Sequence, residues 1–223
     1  MFKLNVCLTL HRFLIKLNIM NEKQQEILNA AEKLFEEKGF DGTSVRDIAK
    51  EANVNLAMIS YYFGSKDKLL EALFETRLDN FRINFELIFD KDFTAFESLE
   101  KLVHVYVKTM NQNAGVYKIL SVEGGIKKRL INSDSFTKIK KFNLELVSKV
   151  LQKGIDAGVF NKTVSPVLLH STMMGTFMNF QMNRSFLQNV LEITSDEAYN
   201  QYIENQLANH IHRTIKALLI YED

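Results

Sequence analysis

The scarcity of helix-breaking residues is the feature that most constrains the fold of this chain. Its 223 residues include one proline and nine glycines. Along the stretches between them, apolar side chains recur every three to four residues, which places them on one side of an α-helix. Because so few residues interrupt this pattern, the sequence predicts an all-α protein.

Length and composition bound the number of domains and the compartment. An apolar fraction of 46% over 223 residues is sufficient for a sizeable core, and we expect two domains. The single cysteine, Cys7, excludes an internal disulfide and any zinc site built from cysteines, and it fits a reducing compartment. We therefore expect a cytoplasmic protein.

The first nineteen residues, MFKLNVCLTLHRFLIKLNI, are apolar and basic. Lys3, His11, Arg12 and Lys16 interrupt every apolar run before it reaches the length that spans a bilayer, and no signal-peptide cleavage pattern follows. We therefore expect neither a signal peptide nor a membrane partner. Two interpretations of residues 1–19 stay open: an extension in front of a true start at Met20, or an amphipathic arm.

A first helix is predicted from Glu22 onward. It ends at Gly39, and its apolar positions follow helical spacing: Ile27, Ala30, Ala31, Leu34 and Phe35. A second, short helix follows, with Thr43 or Ser44 as its N-cap. Asp47 stands three residues after Ser44, which is the spacing of a capping box.

The spacing of the next residues is typical of a helix-turn-helix. Asn53 follows the second helix at a turn position that usually takes a positive φ, which asparagine tolerates better than most side chains. Asn55 is the predicted N-cap of a third helix, LAMISYYF, which we expect to bury Ile59 and Phe63. The whole motif covers about residues 44–63.

The stretch ILNAAEKLFEEKGFDGTSVRDIAKEANVNLAMISYYFGSKDKLLEAL resembles the amino-terminal domain of the TetR family of transcriptional regulators. The resemblance is carried by the alanine pair and Leu-Phe of the first helix, the Gly-Phe-x-x-Thr-Ser link, the Val-Asn turn, Tyr-x-Phe and Ser-Lys. Asn53 departs from the family's usual glycine, and Ser60 stands where an aromatic residue is common. The resemblance implies a DNA-binding domain over residues 20–81 and a helical effector-binding and dimerisation domain over 82–223.

The resemblance also implies which residues contact double-stranded DNA. Thr43 or Ser44, Tyr61 and Lys66 match positions that contact phosphates, and their hydroxyl and ammonium groups are suitable phosphate donors. On the third helix, amide hydrogen bonds and apolar contacts with thymine methyl groups can read bases; the residues placed to do so are Asn55, Leu56, Ala57, Met58 and Tyr62. The alternative for Tyr61 and Tyr62 is packing between helices.

The charge balance is unfavourable for a DNA-binding domain. Residues 20–81 hold eight basic and twelve acidic residues, whereas phosphate neutralisation favours a basic surface. Most of the acidic residues lie on the first predicted helix and on a fourth, which Ser65 caps, away from the surface between Thr43 and Lys66. We therefore expect weak non-specific binding, with affinity recovered by dimerisation.

In the second domain, one helix is apolar nearly all round. Ser165 caps it, Pro166 takes its first position, and it is predicted to run from Val167 to Phe186. A helix with two apolar faces has two partners, and the resemblance implies that the last two helices form a homodimer. Four residues are candidates for this interface, the first two small enough for close crossing: Ser171, Gly175, Leu207 and Ile211.

The resemblance further implies a small apolar or aromatic effector of unknown identity in the second domain. Candidates for lining its pocket are large apolar and aromatic residues: Tyr106, Met110, Tyr117, Phe142, Met173 and Phe177. The alternative is that these side chains are plain core, since Met and Phe at helical spacing usually are.

An enzyme is not expected. His210 and His212 are two residues apart and point in different directions on a helix, so they cannot share a metal. No catalytic or cofactor motif emerges, and we expect no cofactor. The predicted function is a ligand-responsive, homodimeric repressor that reads a palindromic operator through residues 55–63. The alternative is a helical adaptor of the same fold that binds a protein partner instead of DNA.

Overall fold

The structure, a computed structural model, describes residues 22–89, 93–126 and 134–220. Every regular element in these ranges is helical, so the prediction of an all-α fold is confirmed. The chain divides into two compact units, Met1–Asp79 and Asn80–Asp223, close to the boundary expected after Phe81. The predicted extension, residues 1–19, lies outside the described residues.

Four helices form the first unit and lead out of it. They are α1 (Glu22–Lys38), α2 (Val45–Glu51), α3 (Leu56–Phe63) and α4 (Lys66–Phe89). The five apolar residues predicted to face inward from α1 are all buried. Ile48 of α2, Ile59 of α3 and Leu70 of α4 are buried as well, so the two short helices, α2 and α3, are stabilised by packing rather than by their own length.

Local hydrogen bonds set the start of α2. The Ser44 hydroxyl accepts a hydrogen bond from the Asp47 amide at 3.1 Å, and the Asp47 carboxylate accepts one from the Ser44 amide at 3.0 Å. This is the predicted capping box, and it identifies Ser44 rather than Thr43 as the N-cap. α1 ends at Gly39, which has a φ of 71°.

The turn between α2 and α3 has the geometry that the sequence predicts. Asn53 has a φ of 51°, and the following amide of Val54 donates to the Ala49 carbonyl at 3.0 Å. Asn55 then caps α3, since its side-chain oxygen accepts a hydrogen bond from the Ala57 amide at 2.9 Å. The helix-turn-helix therefore closes through backbone bonds and one asparagine cap.

The second unit contains seven helices and two π-helical turns within its described residues. In chain order they are α5 (Ala95–Gln112), α6 (Ala114–Leu120), a π-turn (Ser121–Ile126), α7 (Asp134–Asp156), α8 (Pro166–Met182), α9 (Arg184–Val190), α10 (Asp196–Tyr202), a π-turn (Ile203–Leu207) and α11 (Ala208–Ile220). α5 packs against α7 and α11, and α8 packs against all three. None of the helices in the described ranges has both the length and the apolar content needed to cross a bilayer.

One helix is shorter than predicted. The sequence suggested a single helix from Val167 to Phe186, whereas α8 ends at Met182 and α9 begins at Arg184. Asn183 causes the break: its φ and ψ are −108° and 24°, and its side-chain amide donates to the Asn179 carbonyl at 3.0 Å. An asparagine that bonds the preceding turn in this way competes with helix continuation.

The conformation of Asn53 yields a stability prediction. We expect Asn53→Ala to lower the free energy of unfolding by about 1 kcal/mol, because alanine pays a steric cost at positive φ. Asn53→Gly should leave it nearly unchanged, because relief of backbone strain is offset by the greater entropy of the unfolded glycine chain. Chemical denaturation of the three proteins measures both changes. Equal stability of the alanine and glycine variants would contradict the role of positive φ at this turn.

Candidate nucleic-acid interface

The outward face of α3 carries most of the residues predicted to read bases. Ile59 faces the core at 1% exposure, while Asn55, Leu56 and Ala57 are exposed. Met58 is half-buried at the edge of that face. These side chains therefore lie on a surface that the fold of the first unit leaves accessible.

Tyr61 is the most exposed large side chain of α3. Its exposed fraction is 83%, so the alternative in which it packs between helices is wrong. Tyr62 is half-buried, with its ring edge-on to that of Tyr61 at a centroid distance of 5.2 Å. Phe63 is also half-buried, not enclosed in the core as predicted, because it lies at the last turn of the helix.

Thr43 does not have the position that a phosphate contact requires. It is 1% exposed, and its hydroxyl donates to the carbonyls of Leu34 at 3.0 Å and Gly39 at 2.8 Å. The side chain holds the end of α1 to the start of α2, which corrects the expectation that it faces DNA. Ser44 is exposed and stays a candidate phosphate contact, although its hydroxyl also serves the capping box.

The Lys66 side chain also forms its hydrogen bonds within the protein. Its ammonium group donates to the carbonyls of Phe40 at 2.9 Å and Thr43 at 2.8 Å, and it lies 4.1 Å from the centre of the Phe40 ring. A phosphate contact would have to replace these bonds. The structure therefore assigns Lys66 to closing the α1–α2 connection, in place of the predicted contact with the DNA backbone.

Half of the basic residues between positions 20 and 81 are paired with carboxylates. Of the eight basic residues between positions 20 and 81, four form ion pairs with carboxylates: Lys23 with Glu26, Lys33 with Glu51, Lys68 with Glu71, and Arg77 with Glu32. Together with Lys66, five of these basic groups already have partners within the protein. The weak basic surface predicted from the sequence is therefore weaker still.

Two cations that the sequence reasoning passed over stand on α2. Arg46 and Lys50 are exposed, and neither side chain forms a hydrogen bond or an ion pair with another described residue. The sequence VRDIAKE already indicated two exposed cations, because Ile48 and Ala49 are the residues of this helix that face the core and Arg46 and Lys50 are not among them. Between them, hydrogen bonds from Ser44 lower the pKa of Asp47, so its negative charge offsets part of this attraction.

The residues predicted to line an effector pocket lie together in the core of the second unit. Tyr106, Met110, Met173 and Phe177 are at most 1% exposed, and Tyr117 packs with them. The Tyr106 hydroxyl lies 2.9 Å from Nε2 of His170. Burial raises the pKa of Tyr106 well above its ordinary value and lowers that of His170, so both rings favour their neutral forms. Phe142 is partly buried against the same cluster.

Two of the four residues predicted to lie in the dimer interface are instead buried in their own chain. Leu207 and Ile211 are 3% and 1% exposed and belong to the core of their own chain, because the apolar stripe of the last helix faces α5. Ser171 and Gly175 are exposed on α8. Beside them lies an open cleft of about 450 Å³ between α8 and the last helices, where Phe180 and Tyr202 stack and His210 and Arg213 form part of the rim.

Comparison with known proteins decides the family. Residues 27–73 match the profile of bacterial regulatory proteins of the tetR family, and residues 96–215 match that of the tetracyclin repressor-like C-terminal domain. The chain belongs to the TetR family of transcriptional regulators. It is therefore a DNA-binding transcriptional regulator, and the structure supplies the helix-turn-helix that this activity uses.

Individual relatives agree with this assignment. The probable regulator YttP of Bacillus subtilis is 56% identical over 50 residues, which are 22% of this chain and 24% of YttP. The uncharacterised regulator YfiR of the same species is 25% identical over 80% of this chain and 84% of its own length. A fatty acid degradation regulator FadR from Bacillus halodurans has the same fold, with a TM-score of 0.70, 21% identity, and coverage of 88% of this chain and 95% of that one.

The bonds that Lys66 makes within the protein predict that replacing it has different effects from replacing a residue that contacts a phosphate. We expect Lys66→Met to lower the free energy of unfolding by about 1–3 kcal/mol, because two carbonyls lose a charged donor. Affinity for DNA should fall without a change in its dependence on salt. In contrast, Arg46→Ala should reduce the salt slope by about one while leaving stability unchanged. Denaturation and DNA titrations at several salt concentrations measure these effects.

The opposite pattern would correct this assignment. A Lys66→Met protein of wild-type stability whose salt slope falls by about one would show that Lys66 contacts a phosphate in the complex. Lys66→Arg is the matched control, because it keeps the positive charge while changing the geometry of the two carbonyl bonds.

Proposed function

We propose that this TetR-family regulator is a homodimeric, ligand-responsive repressor that reads a palindromic operator through α3. The observation that supports this most directly is the outward face of α3, where Tyr61 is 83% exposed and Leu56 is 41% exposed. Tyr61 is hardly buried in the first unit, and Leu56 also leaves much of its apolar surface accessible. Their position on the second helix of a helix-turn-helix fits contact with the major groove.

Within α3, different side chains suit different parts of the base edges. Leu56 and Met58 offer apolar contacts to thymine methyl groups, and Ala57 allows close approach. The Asn55 side-chain oxygen accepts a hydrogen bond from the Ala57 amide, so its amino group is the atom left to donate to a base acceptor. Tyr62 is half-buried and takes part at the edge of the contact.

Contacts with the sugar-phosphate backbone of DNA come from the residues around the start of α2 and the end of α3. The Tyr61 hydroxyl is a suitable donor to a phosphate oxygen. The Ser44 hydroxyl donates its proton to the Asp47 carboxylate, so it can reach a phosphate only by releasing that bond. Arg46 and Lys50 are exposed on α2 and supply the positive charge that Lys66 does not. With few such contacts per protomer, we expect a shallow dependence of affinity on salt.

A palindromic operator requires two copies of α3 related by a two-fold axis, and the two helices must lie about 34 Å apart to enter successive turns of the major groove. We propose that the copies associate through the exposed face of α8 around Ser171 and Gly175. The adaptor alternative is not favoured, because the relatives are named transcriptional regulators. A regulator that reads an operator acts where the DNA is, and we place it in the cytoplasm.

We place the effector among the helices α5, α6, α7 and α8, next to Tyr106, Tyr117, Met173 and Phe177. These side chains form one apolar cluster with a polar group, the Tyr106–His170 pair, at its edge. The regulator FadR of Bacillus subtilis, solved in complex with stearoyl-CoA, has a TM-score of 0.65 to this chain. An apolar ligand with a polar head suits the lining described here.

Substitutions in the helix-turn-helix should separate backbone contacts from base contacts. We expect Tyr61→Phe and Arg46→Ala to weaken binding to every duplex about equally, because phosphates carry no sequence information. Met58→Ala and Asn55→Ser should cost about 1–3 kcal/mol on the cognate site and little on scrambled DNA. Titrations of cognate and scrambled duplexes with each variant provide the measurement.

The serine variant of Asn55 retains a capping side chain, so it tests base contact without removing the N-cap. If Tyr61→Phe changes base preference while the Met58 and Asn55 variants weaken both duplexes alike, the roles proposed for these residues are wrong. A different result would contradict the operator-reading function itself: the wild type shows no preference for any upstream duplex, and none of the variants loses DNA binding.

The effector proposal predicts coupling between the two units of the chain. Stearoyl-CoA, used as an apolar probe with a polar head, should raise the dissociation constant for operator DNA about fivefold or more. Coenzyme A without the acyl chain is the matched control and should have no effect. If stearoyl-CoA raises the thermal stability but leaves operator affinity unchanged, it binds both states equally and the proposed coupling fails.

A further inference from the structure

Large exposed apolar side chains lie at both ends of α8. At its start are Val167 and Leu168, 55% and 67% exposed, which we call the amino patch. At its end and on α9 are Met182, Phe186 and Val190, 58%, 68% and 61% exposed, which we call the carboxyl patch. Neither patch is covered by the described residues of the chain itself.

The face of α8 between the patches is small and polar. It carries Ser171, Gly175 and Asn179, all exposed. Leu168 stands seven residues before Gly175 and Met182 seven after it, which is about 10 Å, or two helical turns, in each direction. Leu168 and Met182, one residue from each patch, are therefore equidistant from Gly175 along one side of the helix.

This arrangement is self-complementary about a two-fold axis. If α8 packs antiparallel on α8 of a second copy, with the axis at Gly175, each amino patch meets the carboxyl patch of the partner subunit. A two-fold interface uses the same surface on both copies and forms each such contact twice. Two unlike apolar residues, Leu168 and Met182, at equal distances from one residue are the pattern that it requires.

Gly175 itself supports the position of the axis. A Cβ atom at this residue would meet nothing within 4 Å in its own chain, although glycine inside a helix costs about 1 kcal/mol relative to alanine. Packing within the chain therefore gives no reason for glycine here. Close approach of a second helix does, since a missing side chain lets two backbones come together.

α9 holds its part of the carboxyl patch in a fixed position. Arg184 donates to the Asp196 carboxylate at 3.0 Å and to the Asn200 side chain at 3.1 Å, and lies 4.6 Å from the centre of the Tyr199 ring. Leu187 packs against the core on the other side. Phe186 and Val190 are four residues apart on the outward face, so a fastened helix presents them to whatever covers it.

We infer that α9 is a clasp between the two copies of the dimer, in which Phe186 and Met182 dock on Val167 and Leu168 of the partner subunit. This inference rests on the proposed homodimer and adds to it a defined axis and a contact outside the face of α8. The short helix that follows the break at Asn183 thus contacts the partner subunit in addition to packing on its own chain.

Cysteine pairing tests the axis directly. Leu168 and Met182 are fourteen residues apart on one helix, about 21 Å, so cysteines at both positions cannot bridge within one chain. In a Cys7→Ser background, which has no other cysteine, Leu168→Cys with Met182→Cys should give a disulfide-linked dimer on mild oxidation. Each single variant should stay unlinked. A double variant that stays monomeric under the same conditions would overturn the axis.

Charge at Phe186 tests the clasp. Phe186→Asp should raise the dimer dissociation constant about tenfold or more, with unchanged helix content, because this side chain is exposed in its own chain. Gln201→Asp, at an exposed position on α10, is the matched control and should have no effect. Sedimentation of the wild type separates the two ideas: a monomer at micromolar concentration would contradict the homodimer, whereas a wild-type dimer left intact by Phe186→Asp would contradict the clasp alone.

Discussion

The helix-turn-helix depends on the hydrogen bonds that close the connection between α1 and α2. The buried Thr43 hydroxyl donates to the carbonyls of Leu34 and Gly39, and the Lys66 ammonium donates to those of Phe40 and Thr43. α2 begins directly after this connection, and α3 is placed by its packing on α2. Carbonyls left free after the end of a helix need partners, and here two side chains supply them. The reading helix is therefore positioned by residues that do not themselves face outward.

This arrangement has an electrostatic consequence. Because Lys66 and the four paired cations serve the protein, little positive charge is left to attract DNA without regard to sequence. In the homodimer that we propose, recognition then relies more on base contacts from α3 and on the presence of two copies, since each half-site contributes to the same complex. Such a protein discriminates between sites well relative to its total affinity, which suits the ligand-responsive repressor that we propose.

The second unit combines two demands on α8. Its inner face, with Leu169, Met173 and Phe177, belongs to the apolar core where we place the effector. Its outer face carries the surface that we assign to the dimer. A ligand that shifts the inner packing can therefore change the relation between the two copies, and with it the spacing of the two reading helices. Differential affinity for two such arrangements is the physical requirement for release.

Much of the fold could be predicted from the sequence because the responsible interactions are local. The helical period, the Ser44–Asp47 capping box, the positive φ of Asn53 and the Asn55 cap each involve residues within a few positions of one another. Tertiary structure decided the rest. Lys66 bonds a carbonyl 26 residues away, which no local pattern reveals, and whether Leu207 faces a partner or its own core depends on where α5 lies. The sequence by itself determined which segments are helices and how they begin and end, whereas only the packing of those helices decided which polar groups the protein uses internally and which it leaves for DNA.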